Sequence, residues 1–359
     1  MYPQLGITPS LGPYWDDFVT SFTGRLSQYP EAYKQEVLRA GGLFQDTARH
    51  PEHWHSLGVQ PPKLIPAGPC WAIKPKDEQY MSDLLTNFAK EKNHVYQTGN
   101  SRDTLEFSPV QLAYKQLFLP DLENPIYAVN LATNPEEVQL QLPPELDVLP
   151  RHEEHPPLTT NITPRYTVVD AHIDHGAHVL TLLTSGCVKL WALYPLTEQN
   201  RQALGPVYGS KNMFLDLVGK LEGGDFCIQT EGEAIYLPPG CIHSTVTIRG
   251  GLTLGLLFET PVSVYLAGVV FDLDQKFIRR GDLECHSLLT SIDLARQRGT
   301  AAEKREASAR LCAQFKLLKA RAPAKMAELL NQKALASCPR CGKSWASHRA
   351  VKELSDLGN

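Results

Sequence analysis

Residues 170–195 read DAHIDHGAHVLTLLTSGCVKLWALYP. Two runs in this stretch, HVLTLLTSG and VKLWALYP, are short, rich in branched and aromatic side chains, and parted by glycine. That is the pattern of strands joined by a tight turn. The ten residues at its start hold three of the chain's 12 histidines and two aspartates. Such crowding has three readings: a metal site, an acid–base cluster, or a solvated polar turn. Side chains of an extended segment alternate between faces, so residues 170, 172 and 174 are expected on one side. His172 and Asp174 then reach a single ion from neighbouring positions. Asp170 beside them is either a partner for a histidine or a solvated carboxylate. His175 and His178 fall on or past the turn at Gly176 and read as surface residues or as support for the ligands.

The same texture extends on both sides. PIYAVNLA, TVVDAHID, DFCIQTEG, EAIYLPPG, STVTIRGG and LTLGLLFE are short, β-rich and bounded by glycine or proline. Strands of this length and number predict a sandwich or barrel. Helical patterns flank them. Residues 14–48 repeat apolar side chains (Phe18, Phe22, Leu26, Tyr29) at helical spacing, and 77–93 and 108–118 are two further helices. Ser108 offers a cap and Pro109 a first helical position. Residues 51–75 carry several prolines and read as an extended connector. Helix returns from about 272, through Leu311, Phe315 and Leu318. The chain is therefore read as α+β: an N-terminal helical region over 1–120, a β-domain over 121–272, and C-terminal helices over 273–359.

With 359 residues, a net charge of -4, 42% hydrophobic and 21% charged side chains, the chain has the make-up of a soluble globular protein. No run of 18 apolar residues marks a transmembrane helix, and the N-terminus lacks the basic start and apolar core of a secretory signal. Eight scattered cysteines predict free or metal-bound thiols in a reducing compartment rather than a disulfide framework.

A half-site of His172 and Asp174 needs a third donor. YLPPGCIHSTVTI (236–248) supplies His243, at the start of a strand after a Pro-Pro-Gly turn. Two histidines and one carboxylate on one face of an ion, with open positions opposite, suit non-haem Fe(II). The bland readings are a chance H-x-D and a solvated loop histidine. Lys189 sits among Val188, Leu190 and Trp191, where a lysine is costly to bury without an anion. It either points to water from an edge strand or pairs with the distal carboxylate of a 2-oxoacid. Thr181, eight residues earlier, shares its face if the strand runs unbroken, although Gly186 interrupts that parity.

Taken in order, HID, GCVKLW (His172 to Lys189 is 17 residues) and PPGCIH resemble the Jumonji C (JmjC) branch of the Fe(II)- and 2-oxoglutarate-dependent oxygenases. HIDHG and LTLGLLF look most like its lysine demethylase subgroup, which elsewhere carries F-box or plant-homeodomain modules. The resemblance spans roughly residues 125–270. It implies a double-stranded β-helix, a cupin-like jelly roll, with His172, Asp174 and His243 holding iron and Lys189 anchoring 2-oxoglutarate. Many relatives place a threonine three residues before the first ligand; here Val169 stands there, with Thr167 two residues further back. Thr181 and Asn130 are the candidates for the missing polar contact. The implied activity is hydroxylation or demethylation of a protein, with methyl-lysine of a histone tail in the nucleus as the leading substrate. No plant-homeodomain finger or F-box pattern accompanies it. A hydroxylase of a small molecule or non-histone protein, and a non-catalytic chromatin scaffold, are the alternatives.

Two further features lie in the C-terminal region. SCPRCGKSWASHRA (337–350) sets Cys338, Cys341 and His348 at spacings suited to a structural zinc knuckle. Cys312 is the fourth donor considered, with Cys285 or His286 in reserve; two free thiols on a tail is the bland reading. Residues 296–325 carry nine Lys/Arg against two Asp/Glu. Such a stripe can bind nucleic acid, but the wet face of an amphipathic helix is the preferred reading.

Overall fold

A computed structural model describes residues 28–88, 94–97, 110–134, 136–147, 158–210, 212–277 and 282–331. The chain divides into two compact units. One takes in Met1–Val148, Glu154–Asp174 and His178–Phe258; the other takes in Leu149–Glu153, His175–Ala177 and Glu259–Asn359.

The first unit is built on strands β1 (Lys63–Pro66), β2 (Trp71–Ile73), β3 (His94–Gln97), β4 (Ile126–Ala132), β5 (Gln139–Leu140), β6 (Thr159–Thr163) and β7 (Val168–His172). They are followed by β8 (His178–Thr184), β9 (Val188–Tyr194), β10 (Asp225–Gln229), β11 (Glu233–Leu237), β12 (Ile242–Arg249) and β13 (Gly251–Phe258). Seven form a sheet in the order β1-β11-β8-β13-β6-β4-β3, four form a second in the order β10-β9-β12-β7, and β2 pairs with β5. All pairings are antiparallel. The α+β expectation holds, and the two large antiparallel sheets are compatible with the expected sandwich.

β8 and β9 are buried at every position. Each lies inside its sheet and is covered on both faces, which is why HVLTLLT and VKLWALY lack polar alternation. Ser185 and Gly186 join them with consecutive positive φ values of 59° and 71°, a pair of left-handed residues that suits a tight turn. Asp77 holds this turn, accepting from the Ser185 amide at 3.0 Å and from the Thr184 hydroxyl.

Helices cover both sheets. Asp77–Phe88 and Val110–Phe118 bury Tyr80, Leu84, Val110 and Ala113 against Ile162, Leu252 and Leu254 of the seven-stranded sheet. Gln28–Arg39 lies behind the four-stranded sheet, where buried Glu36 accepts from the Tyr194 hydroxyl at 2.9 Å. This helix is shorter than the expected 14–48. It stops at Gly41 and Gly42, whose φ values of 77° and 116° take the chain out of helical geometry; residues 14–27 lie outside the described residues. The proline-rich connector also differs from expectation. It contains a short helix, Pro51–His55, and β1, whose one proline, Pro66, is tolerated because β1 is an edge strand.

The second unit consists of helices Ser263–Phe277, Asp282–Arg298, Ala301–Arg321 and Pro323–Asn331. The first of them starts ahead of the expected switch near 272, because its β-branched sequence SVYLAGVVF disguises it. Phe271, Leu288, Ile292, Leu311, Phe315 and Leu318 form the core. Thr300 and Glu303 close a reciprocal capping box at the start of the third helix. Lys316 and Lys319 are exposed there while Leu311, Phe315 and Leu318 are buried, the amphipathic pattern expected of the basic segment. Among the described residues no helix is long and apolar enough to cross a membrane.

Candidate metal centre

β7 ends at His172, and Asp174 follows two residues on, ahead of the turn at His175 and Gly176. β12 carries His243 directly opposite His172. The ligand-capable atoms of His172, Asp174 and His243 all lie within 4.8 Å of one another. Asp174 spans the two imidazoles: Oδ1 is 3.6 Å from His172 Nε2, and Oδ2 is 3.4 Å from His243 Nε2. Two donors bound at right angles to one ion stand about 3 Å apart, so only small movements would close this group on a metal.

The protonation of both rings is set from behind. His172 Nδ1 lies 2.8 Å from the Asp170 carbonyl, and His243 Nδ1 lies 3.1 Å from the Cys241 carbonyl. A carbonyl only accepts, so each Nδ1 must carry the proton and each Nε2 presents its lone pair to the group. Burial pushes the His243 pKa down to about 4, helped by the neighbouring His172 and opposed by Asp174. His243 therefore stays neutral, as a ligand must. Its side chain is 5% exposed, whereas that of His172 is 38% exposed; the group opens on the His172 side.

Asp170 corrects the alternation argument. It does not share a face with the ligands, because the β7–β12 ladder slips between the His243–His172 and Thr245–Val169 pairs. The slip turns Val169 and His172 to the same side and Asp170 to the other. There the Asp170 carboxylate accepts from the backbone amides of Met213 and Phe214 at 2.7 and 2.8 Å and from Ala171 at 2.8 Å. Ser244, between His243 and Thr245, braces the slip by donating to the Val169 carbonyl at 2.6 Å.

Register also identifies the inner face. β9 and β12 pair Leu193 with His243, Trp191 with Thr245 and Lys189 with Thr247, and β10 sets Gln229 opposite Lys189. Directly paired residues share a face. Gln229 Nε2 reaches across to the Thr181 carbonyl in the other sheet at 2.8 Å, so this face looks into the sandwich. Lys189 thus lies inside, 3% exposed, and burial lowers its pKa to about 8. Among the described residues it has no carboxylate partner. Trp191 stands 5.9 Å from the His243 ring and donates to Gln229 at 3.0 Å.

Thr181 faces the same interior from the opposite sheet. Its neighbour Leu182 pairs with Leu254, which packs against the covering helices, so Thr181 points the other way. Asn130 is exposed in a β4 irregularity, three ladder steps from β8, with its backbone amide donating to Asn161; the structure does not bring it to Thr181 and Lys189. His178 is fully buried, bonded to the Tyr236 hydroxyl at 2.8 Å and stacked on Phe258, rather than a surface residue. Reasoning from sequence missed Thr245, whose alternation with His243 and Thr247 was the available signal.

The proposed zinc donors Cys338, Cys341 and His348 lie outside the described residues. Of their suggested partners, Cys285 is buried in the helical core, Cys312 packs against it partly exposed, and His286 is exposed. Among the described residues the cysteines form no disulfide. No protein-family model matches the chain, and no curated protein is similar to it.

Proposed function

We propose that the protein is an Fe(II)- and 2-oxoglutarate-dependent dioxygenase of the JmjC type, hydroxylating or demethylating a protein substrate, with methyl-lysine of a histone tail the first to test. One juxtaposition carries the reading: two imidazoles, each with Nδ1 bonded to a backbone carbonyl and Nε2 turned to the group, converge with a carboxylate on the same inner face as a buried ammonium lacking an acidic partner among the described residues. Strand order supports it as well. β6, β8, β11 and β13 belong to one sheet and β7, β9, β10 and β12 to the other, an alternation in keeping with the double-stranded β-helix we propose.

The donor set fits iron, since two imidazoles and one carboxylate leave coordination positions for other molecules. The buried ammonium fits a dicarboxylate. Iron and 2-oxoglutarate, when bound, supply oxygen activation coupled to release of succinate and carbon dioxide. The chain's own contributions are separate from that chemistry. Asp170 and Cys241 carbonyls orient the imidazoles. Lys189 neutralises the far carboxylate of the co-substrate; buried Trp191 keeps water from that end, and buried Leu193 does the same opposite His243. The exposed edge of His172 marks the side from which a substrate C–H bond approaches. If that carbon is an N-methyl group, hydroxylation ends in loss of formaldehyde.

Purified protein reconstituted with Fe(II) should convert 2-oxoglutarate to succinate, and His172→Ala should abolish both turnover and iron retention. Cys338→Ala should lose zinc and stability with the iron centre intact, as expected if Cys338, Cys341, His348 and Cys312 form a structural site. Normal succinate release by His172→Ala would eliminate the proposed centre. A screen of methylated histone peptides, scored for formaldehyde and for a mass gain of one oxygen, separates demethylation from stable hydroxylation.

A further inference from the structure

We infer that Thr245 supplies the hydroxyl that binds the far carboxylate of the co-substrate beside Lys189, in place of the threonine absent at position 169; the inference rests on the co-substrate reading above. Thr245 is 3% exposed, and its Oγ1 is buried with no hydrogen-bond partner among the described residues. A hydroxyl withdrawn from water and left unbonded is destabilising, so its position calls for a partner that arrives from outside the chain.

The hydroxyls of Thr167, Thr247 and Ser244 are already engaged. Thr167 donates to the Pro164 carbonyl at 2.8 Å and meets Thr247 at 2.9 Å. Ser244 points behind the sheet, to the Val169 carbonyl and Tyr33. Of the other stranded hydroxyls, Ser185 lies in the β8–β9 turn and Ser291 on a helix of the second unit.

Thr245 has the right address as well as the free group. It lies two residues from Thr247, the direct partner of Lys189, and two from His243, all on one face of β12. It is therefore the diagonal neighbour of the lysine, about 7–8 Å away along the ladder, and between the lysine and the metal ligand. A carboxylate has two oxygens with lone pairs to spare; one takes the ammonium, and the other takes a hydroxyl. Val169 pairs directly with Thr245 across the β7–β12 ladder, so a hydroxyl lost from one side of this rung is present on the other.

The test is calorimetric titration of 2-oxoglutarate into the full chain loaded with Mn(II), under anaerobic conditions. Thr245→Val, close in shape, should weaken binding about ten- to hundred-fold, and Thr245→Ser should restore most of it. Val169→Thr added to Thr245→Val should also restore binding. 2-Oxovalerate, which lacks the far carboxylate, should bind weakly to the wild type and be indifferent to Thr245→Val. Without ligand, Thr245→Val should melt no lower than the wild type, because valine removes the stranded hydroxyl; loss of fold would show here and would count against the assignment. If Lys189→Met loses 2-oxoglutarate while Thr245→Val binds it normally, or if Thr181→Ala carries the loss instead, the Thr245 assignment falls and the co-substrate reading stands. If Lys189→Met binds 2-oxoglutarate as well as the wild type, the co-substrate reading falls and takes the assignment with it.

Discussion

Lys189 holds its ammonium in a strand whose every residue is buried. Burial sets its pKa at about 8 in the folded chain, against 10.5 as the ordinary value. Between those values the unfolded chain binds more protons, so folding stability rises with pH across that window. Below about pH 8 the full penalty applies, on the order of 3 kcal/mol. Lys189→Met should therefore unfold at higher urea than the wild type at pH 7, with the advantage shrinking as pH climbs to 10. Equal midpoints at pH 7 would mean that the ammonium is solvated or paired. At this scale much of the site was legible in the sequence. His172, Asp174 and His243 stood out by residue type, and Lys189 by its apolar neighbours. Thr245 was equally readable, because β12 runs regularly from Ile242 to Thr247, but one threonine among branched residues looks like any strand residue.

The elements explain where that legibility ended. Period-two reasoning assumes a regular ladder, and β7 is irregular just where it was applied. It placed Asp170 beside the ligands, whereas the slip gives its carboxylate to the amides of Met213 and Phe214 at the start of the helix Met213–Leu217. Asp170 ties that helix to the strand that carries His172. Asp170→Ala leaves three amides without their acceptor. It should lower stability by about 2–4 kcal/mol and metal affinity by roughly ten-fold or more, read by urea unfolding and by chelator competition. Unchanged metal affinity would show that the His172 ring is held by its own backbone bond alone. β6 escaped notice for a related reason: TTNIT looks like a polar loop, yet Thr163 meets Thr253 at 3.3 Å and Thr160 bonds the Tyr80 hydroxyl.

On the scale of the whole molecule, the group that could hold a metal and its inner-face neighbours all belong to the sheet unit, while the helical unit has its own core. Leu311→Ala in that core should cost about 2–5 kcal/mol in urea unfolding, with metal affinity of the triad unchanged in the folded protein. A matching fall in metal affinity would show that the helical core helps to shape the centre. The ammonium of Lys189 bears on the molecule in another way. A chain that closes around a cation without a counter-ion opens more often than one whose cation has been met, and brief opening is what a protease samples. If the site takes the dianion proposed for it, the survival time of the protein in a cell should follow the supply of that metabolite, so that its pool sets how many copies persist.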